Sequence, residues 1–393
     1  MNDLIFENEI AIVAIIKNES RYISEWLKYH YRIGVDKFYL YNNDSEDMEE
    51  LERILEPWIQ SKIVDLKNIS GLCKQMPAYI DAIENHRFDC RYMAFIDIDE
   101  FVFVKNRKTL LGLLNEHFSK DPRIGGLAVN WKIFGSSGKK LYEPKDVIDR
   151  FTFRAADDYP LNNHIKTIAD PRKIFFMQSP HNAVYILDCD CYDFSLHFVP
   201  LYSNENRDYS VVQINHYFTK STEEYDQKIA RGRADFRRDD RDKNLADDQS
   251  LNEVEDLDLK ILYAQLKQNP LPPVKDHSEQ KILENVSAML KSKLDAEKIL
   301  MCAVLIRKLS LLNEQEKLQL ENYLLDLLAE SKDLTSNEIC ILLANIAFLL
   351  RERKSLVDLY KKFLPKLMNG YELEVELTTA YRIRQIYQIL LLM

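Results

Sequence analysis

A chain of 393 residues, 46% hydrophobic and 30% charged, is long enough for two domains and ordinary for a globular protein, which excludes disordered and fibrous classes. Its formal net charge of -10 argues against nucleic acid as a partner, although local basic patches remain able to hold phosphates. Six scattered cysteines without zinc spacing read as reduced thiols, and an acidic N-terminus with no membrane-length apolar run points to the cytoplasm.

Ile10 to Ile16 is an uninterrupted apolar run rich in β-branched residues, the pattern of a central strand, and it ends in the polar loop Lys17-Asn18-Glu19-Ser20. Tyr22, Trp26, Tyr29 and Ile33 then recur at helical spacing until Gly34, with Asn18 or Ser20 as the expected cap. Lys37 to Tyr41 predicts a second strand running into Asn42-Asn43-Asp44. Met48, Leu51, Ile54 and Leu55 mark a helix expected to end near Pro57. Ile63 to Leu66 is a short third strand, followed by a helix carrying Tyr79, Ile80 and Ile83. This alternation predicts right-handed crossovers and a mostly parallel sheet covered on both faces.

The stretch from Arg91 to Val104 sets Asp97, Asp99 and Glu100 between two apolar runs. Read as one buried strand, it points Asp97 and Asp99 to the same face, where two carboxylates suit Mn²⁺ or Mg²⁺. A strand end with exposed acids is the bland alternative. Lys17-Asn18-Glu19, Asn42-Asn43-Asp44 and Asp97-x-Asp99 all fall at the carboxyl ends of predicted strands, where ligands of such sheets bind. With nine glycines and no glycine-rich phosphate loop, a metal is left to neutralise phosphates.

Lys17-Asn18-Glu19 with Tyr22, Glu25-Trp26 and His30, Gly34 to Ser45, and Phe95-Ile96-Asp97-Ile98-Asp99-Glu100-Phe101 together resemble glycosyltransferase family 92 and related bacterial family 2-like enzymes. The resemblance continues through Trp131-x-x-Phe134-Gly135, Lys173-Ile174, His181-Asn182 and Ile214 to Ser221 with Glu223-Glu224-Tyr225, and covers roughly residues 8 to 240. It implies a GT-A fold, that is, a Rossmann-like mixed sheet with helices on both faces. It also implies a nucleotide-sugar donor, a divalent cation on the Asp-x-Asp motif and an inverting reaction.

The resemblance also distributes roles. Lys17, Asn18, Glu19, Asn43, Asp44 and Asp97 would bind the nucleotide, and Asp97 and Asp99 the metal. Trp131 and Phe134, with His181, would face the acceptor, although aromatics at a strand end are more often packing. His216, at the end of the apolar Val211 to Ile214 run, is the favoured third metal ligand, with His181 the alternative and a satisfied core histidine the bland reading. Lys220, Arg231 and Arg233 would clamp the pyrophosphate, unless Lys228 to Asp235 is only a solvated charged helix. Direct displacement needs a base for the acceptor hydroxyl, and Glu224 is favoured over Asp235. Thr109 to Phe118 predicts a helix, Gly126 to Phe134, Arg150 to Phe153 and Ile174 to Met177 predict strands, and the polar tract from Tyr159 to Asp170 a loop over the site.

From about Ser250 strand signals stop. Pro270-Leu271-Pro272-Pro273 reads as a stiff connector, and roughly six amphipathic helices follow: one carrying Ile282, Val286, Met289, Leu290 and Leu294, then 296–312, 314–330, 336–351, 355–368 and 372–392. The expected organisation is a GT-A domain over residues 1–245, a linker over 246–275 and an α-helical bundle or repeat domain over 276–393. The resulting expectation is a metal-dependent hexosyltransferase using a UDP-hexose and a glycan acceptor in cell-surface polysaccharide synthesis. It would lie at the inner face of the membrane beside membrane-bound assembly proteins and pair with itself through the helical domain. A noncatalytic glycan-binding or scaffold protein is the alternative.

Overall fold

The first strands and helices alternate as the spacing predicts: β1 (Asn8–Ile16), α1 (Ser20–Arg32), β2 (Lys37–Asn42), α2 (Met48–Gln60), β3 (Val64–Asn68), α3 (Gln75–His86) and β4 (Cys90–Phe95). β3, β2, β1 and β4 lie side by side and parallel. Strand alternation sorts the apolar run. Ile10, Ile12, Ala14 and Ile16 join the core beneath α1 and α2, while Val13 and Ile15 face the side covered by α3. The computed structural model describes residues 6–105, 108–186, 189–235, 244–276, 278–291, 296–307, 313–316 and 318–319.

The chain continues through β5 (Glu100–Val104), α4 (Leu110–Phe118), β6 (Ile124–Ile133), α5 (Val147–Arg150), β7 (Phe153–Arg154), β8 (Ile165–Ala169), β9 (Ile174–Met177), β10 (Ala183–Tyr185), β11 (Asp190–Tyr192), β12 (Val212–His216), α6 (Thr222–Ala230), β13 (Val254–Glu255) and α7 (Asp258–Leu266). A nine-stranded mixed sheet runs β3-β2-β1-β4-β8-β6-β12-β5, with β11 added on β6. This is the α/β arrangement, a mixed sheet with helices, that the motifs imply. β8 is antiparallel to both neighbours, and β12 is parallel to β6 but antiparallel to β5.

Several expectations change. The Arg91 to Val104 stretch is two strands, not one: β4 and β5 occupy different places in the sheet, and Ile96 to Asp99 form the turn between them. A turn keeps Asp97 and Asp99 at a strand end, where Lys166 and Lys228 reach them and offset the cost of burying charge. The tract from Tyr159 to Asp170 is not a loop, since it contains β8, in the middle of the sheet. Its lone Lys166 disguised the strand, and that lysine is fully buried because two carboxylates meet it. Arg150 ends α5 instead of starting a strand. α1 is capped from another element, with the Ser20 N–H donating to Asp47 Oδ2 at 2.9 Å, so neither Asn18 nor Ser20 supplies the cap. α2 runs past Pro57 to Gln60, held by the packing of Trp58 against Tyr31, ring centroids 5.6 Å apart.

Residues 246–275 are not a linker. They belong to the unit formed by Asn8–Tyr185 and Asp190–Lys275. β13 pairs with β7, Tyr263 of α7 packs on Tyr29, and Arg32 donates to the carbonyls of Leu266, Asn269 and Pro270. The second unit gathers Met1–Glu7, Ile186–Cys189 and Asp276–Met393. Its described helices are α8 (Glu279–Lys291), with Ile282, Val286 and Met289 buried as their spacing predicts, and α9 (Ala296–Arg307). Apart from short helical pieces at 314–316 and 318–319, the helices expected beyond Arg307 lie outside the described residues, as does Leu294.

His30 ties α1 to β5. Its Nδ1–H donates to the Trp26 carbonyl and its Nε2 accepts from the Val102 N–H, a pairing that only the neutral ring satisfies. Burial pulls its pKa from 6.5 down to about 3. The unfolded chain therefore takes up a proton below about pH 6.5 that the folded ring refuses, so His30 stabilises the fold above that pH and the contribution is lost as pH falls towards 3. Denaturant titrations of wild type and His30→Gln should differ in slope by up to about 1.4 kcal/mol per pH unit across this window, with the wild type the steeper.

Candidate active site

The turn from Ile96 to Asp99 is pinned from below. The Trp26 indole N–H donates to both the Asp97 and Glu100 carbonyls, at 3.1 and 2.9 Å, and the Asp97 N–H donates to Glu100 Oε2 at 2.8 Å. Glu100 is thereby folded under the turn and buried, while Asp97 and Asp99 face a cleft of about 280 Å³. Asp97 accepts from Gln75 Nε2 at 3.0 Å and from Lys166 Nζ at 2.8 Å, and a third of its side chain remains exposed to the cleft. Asp99 Oδ2 accepts from Lys228 Nζ at 2.6 Å, with His216 Nε2 at 3.6 Å.

Burial penalises every charge here, and the partners decide the outcome. Burial pushes Asp99 up, but Lys228 and His216 outweigh it and hold the carboxylate well below its usual range. Glu100 goes the other way: burial raises it well above its usual range, Lys166 opposes the rise without reversing it, and Asp97 and Asp99 add to it. Burial lowers His216, which stays a neutral imidazole at pH 7, able to act as a ligand. Lys228 is brought down to about 8 by burial, against the pull of Asp99.

The strand ends converge as their sequence positions predict. Lys17 and Glu19 after β1, Asn43 after β2, the Asp97 turn after β4, Trp131 near the end of β6 and His216 at the end of β12 all line the cleft. The segment after α6 closes it with Arg231, Arg233 and Asp235, and His181 completes the wall. Arg231 fastens this segment to the first loop, donating to the Lys17 carbonyl and pairing with Glu19, both at 2.6 Å. Asp235 is held by Arg233 through two contacts of 2.8 Å.

Other predicted residues are elsewhere. Asn18 turns towards α2, where its Oδ1 accepts from the Glu46 N–H. Asp44 is exposed at the surface, accepting from the Gly71 N–H. Phe134 is core, 1% exposed and packed on Tyr217, so it meets no acceptor. One face of Trp131 is covered by His164, stacked at 5.1 Å and 10°, and His216 and His181 meet the ring at steep angles with centroids 4.3 and 5.1 Å away. Lys220 and Glu224 line a second cavity, of about 500 Å³. Glu224 is the main correction. Its carboxylate is fully engaged by Arg150 Nη1 and Nη2, the Tyr22 hydroxyl, and the N–H and hydroxyl of Ser221 in a capping box. Burial pushes it up, yet Arg150 and Ser221 more than reverse this, leaving an ionised structural anchor with no free oxygen for a substrate proton.

Two residues that hold Asp97 escaped the sequence reading. Lys166 had a faint signal, one lysine in an otherwise strand-like Ile165 to Ala169. Gln75 had none, because only the packing of α3 brings it to Asp97.

Among the described residues, no three His, Cys, Asp or Glu side chains form a ready metal cage. What they form suits an ion that shares its ligands with a substrate, as Mg²⁺ and Mn²⁺ do at phosphate sites. Asp99 Oδ2 and His216 Nε2 face each other across the cleft wall. Behind them, His216 Nδ1 and Glu100 Oε1 are both buried without a hydrogen bond and stand 3.9 Å apart. A metal-binding imidazole donates its second N–H to such an acceptor, so these two orphaned atoms fit a ligand role for Nε2.

The sequence profile described as Glycosyltransferase family 92 matches residues 13–255. A family 92 protein of Oryza sativa subsp. japonica is 30% identical over 161 residues, covering 38% of this chain and 25% of that protein. One of Ricinus communis is 25% identical over 225 residues, 57% of this chain and 38% of that protein. A galactan β-1,4-galactosyltransferase of Arabidopsis thaliana is 27% identical over 100 residues, 23% and 20% of the two chains. The chain thus matches well under half the length of these curated relatives. The solved structure of S. aureus TarS 1–349 with UDP overlaps with a TM-score of only 0.30, at 10% identity over 92% of this chain and 89% of that one, and carries no weight here. On the extent of the profile match, the chain belongs to glycosyltransferase family 92.

Proposed function

We propose that the chain transfers a hexose from a nucleoside diphosphate sugar, UDP-hexose in the first instance, to a glycan acceptor with inversion, in cell-surface polysaccharide synthesis. The observation that carries this reading is the cleft at the strand ends, lined together by Asp97, Asp99 and His216 and by Lys228, Arg231 and Arg233. Acids and cations lining one cleft suit a diphosphate bound through an ion and through guanidinium groups. Asp97, Asp99 and His216 would hold the Mn²⁺ or Mg²⁺, which supplies Lewis acidity towards the leaving diphosphate.

The chain's own residues do the rest. Lys17, Glu19 and Asn43 border the nucleotide end, and Asn43 fixes that border by donating to the Ile69 and Gly71 carbonyls. Lys166 and Gln75 orient Asp97. Asp235, whose two oxygens Arg233 holds at 2.8 Å, would take the acceptor proton on releasing one of those contacts. Asp235→Asn should lower kcat by about 10²–10⁴-fold, the usual worth of a general base, with little change in melting temperature. His181, its Nδ1 on the Ile165 carbonyl at 2.9 Å, would stand with Trp131 on the acceptor side.

The test is release of UDP from UDP-hexoses with Mn²⁺, with and without EDTA. Activity abolished by EDTA is expected; full activity in EDTA removes the metal role. No turnover with any donor, combined with retained glycan binding, would favour the noncatalytic alternative. Membrane-bound assembly partners and self-association through the helical domain belong to this proposal too. No helix among the described residues is long and apolar enough to cross a membrane.

A further inference from the structure

Asp99 already holds a cation, and it is one of the chain's own. Lys228 Nζ lies 2.6 Å from Asp99 Oδ2, donates also to the Phe218 carbonyl at 2.8 Å, and sits 4.3 Å above the Phe218 ring. On the same oxygen, His216 Nε2 stands at 3.6 Å, too far for a hydrogen bond yet within the span of one ion about 2.1 Å from each. Ammonium and ion therefore compete for one place.

The reason for filling that place is electrostatic. Lys166 is taken by Asp97, leaving Asp99, 6% exposed, with a neutral imidazole unless Lys228 reaches it. An unpaired carboxylate at that depth costs several kcal/mol. A dication arriving beside Lys228 would meet the opposite problem, because Lys220 and Arg231 already crowd that ammonium with like charge. Lys228 has somewhere to go, since it forms part of the wall shared by the cleft and the second cavity.

We propose that Lys228 is a built-in stand-in for the divalent cation, filling its seat at Asp99 in the free protein and turning to the donor's diphosphate when ion and donor arrive together. This rests on the reading of Asp99 and His216 as metal ligands. It makes the ion and the donor bind cooperatively: alone, the ion must displace an ammonium from its carboxylate, whereas with the diphosphate present the displaced charge meets a new anion.

Mn²⁺ titration of the full chain, followed by electron paramagnetic resonance with and without UDP, tests this. Wild type should bind Mn²⁺ weakly alone and at least about tenfold more tightly with UDP, within the usual range of such couplings. Lys228→Met should bind Mn²⁺ alone about tenfold more tightly than wild type, and UDP should then add little. Lys228→Gln, which keeps a donor for Asp99 and Phe218 without the charge, should behave the same and stands in if the methionine variant does not fold. Unchanged or weaker Mn²⁺ affinity in the folded variant, while wild type binds Mn²⁺ with UDP, overturns the stand-in and leaves the metal site standing. Absence of Mn²⁺ binding to every form with UDP present overturns both.

Discussion

Replacing Asp99 by asparagine should lower kcat/KM by about 10³-fold or more, on the order of 4 kcal/mol of lost transition-state stabilisation at 1.36 kcal/mol per tenfold. Asn keeps the shape and one acceptor oxygen but loses the charge that both Lys228 and an incoming ion require. The loss should fall on kcat as well as on KM, since charge on the leaving diphosphate grows as the sugar departs. Some destabilisation should accompany it, because Lys228 keeps its buried ammonium without a full partner. Adding Lys228→Met should restore the melting temperature without restoring activity. Steady-state kinetics beside thermal melts make the comparison, and near-normal turnover in Asp99→Asn would remove Asp99 from the site.

The largest effect on stability is expected at Arg150. Its guanidinium meets Glu224 Oε2 and Oε1 at 2.8 and 2.9 Å, and both side chains are 1% exposed. Removing one member of such a pair strands the other charge, at about 3–5 kcal/mol. Arg150→Met should therefore lower the melting temperature by about 6–20 °C, at roughly 2–4 °C per kcal/mol for a domain of this size. Glu224→Gln should behave similarly, because it strands the buried Arg150 charge even though a glutamine can keep the capping box on α6. A base behaves differently: kcat falls and the melt does not. If Glu224→Gln melts like wild type and loses only kcat, the structural role assigned to Glu224 is wrong.

The alternation of apolar runs and helical stripes from Ile10 to Phe95 is local information, since each strand or helix buries the face its own period defines. The clusters at Lys17, Asn43 and Asp97 followed from it, because parallel strands bring their carboxyl ends to one edge. For the same reason the Asp97-x-Asp99 motif and His216 were legible as a site. Other features depended on which segments meet. Lys166 lies in the middle of the sheet only because β8 inserts between β4 and β6, and a buried lysine looks like a loop until its carboxylate is in place. Glu224 looked like a base because sequence shows an acid near a site but not that Arg150, 74 residues away, has claimed it.

The sequence by itself thus determined the α/β class, the family and the edge of the sheet where chemistry belongs, because periodicity and short motifs are carried by neighbouring residues. Only the tertiary structure decided which charges are free. It gave Asp99 to Lys228, Asp97 to Lys166 and Glu224 to Arg150, since the protonation and availability of a buried group depend on partners that the chain brings from far away.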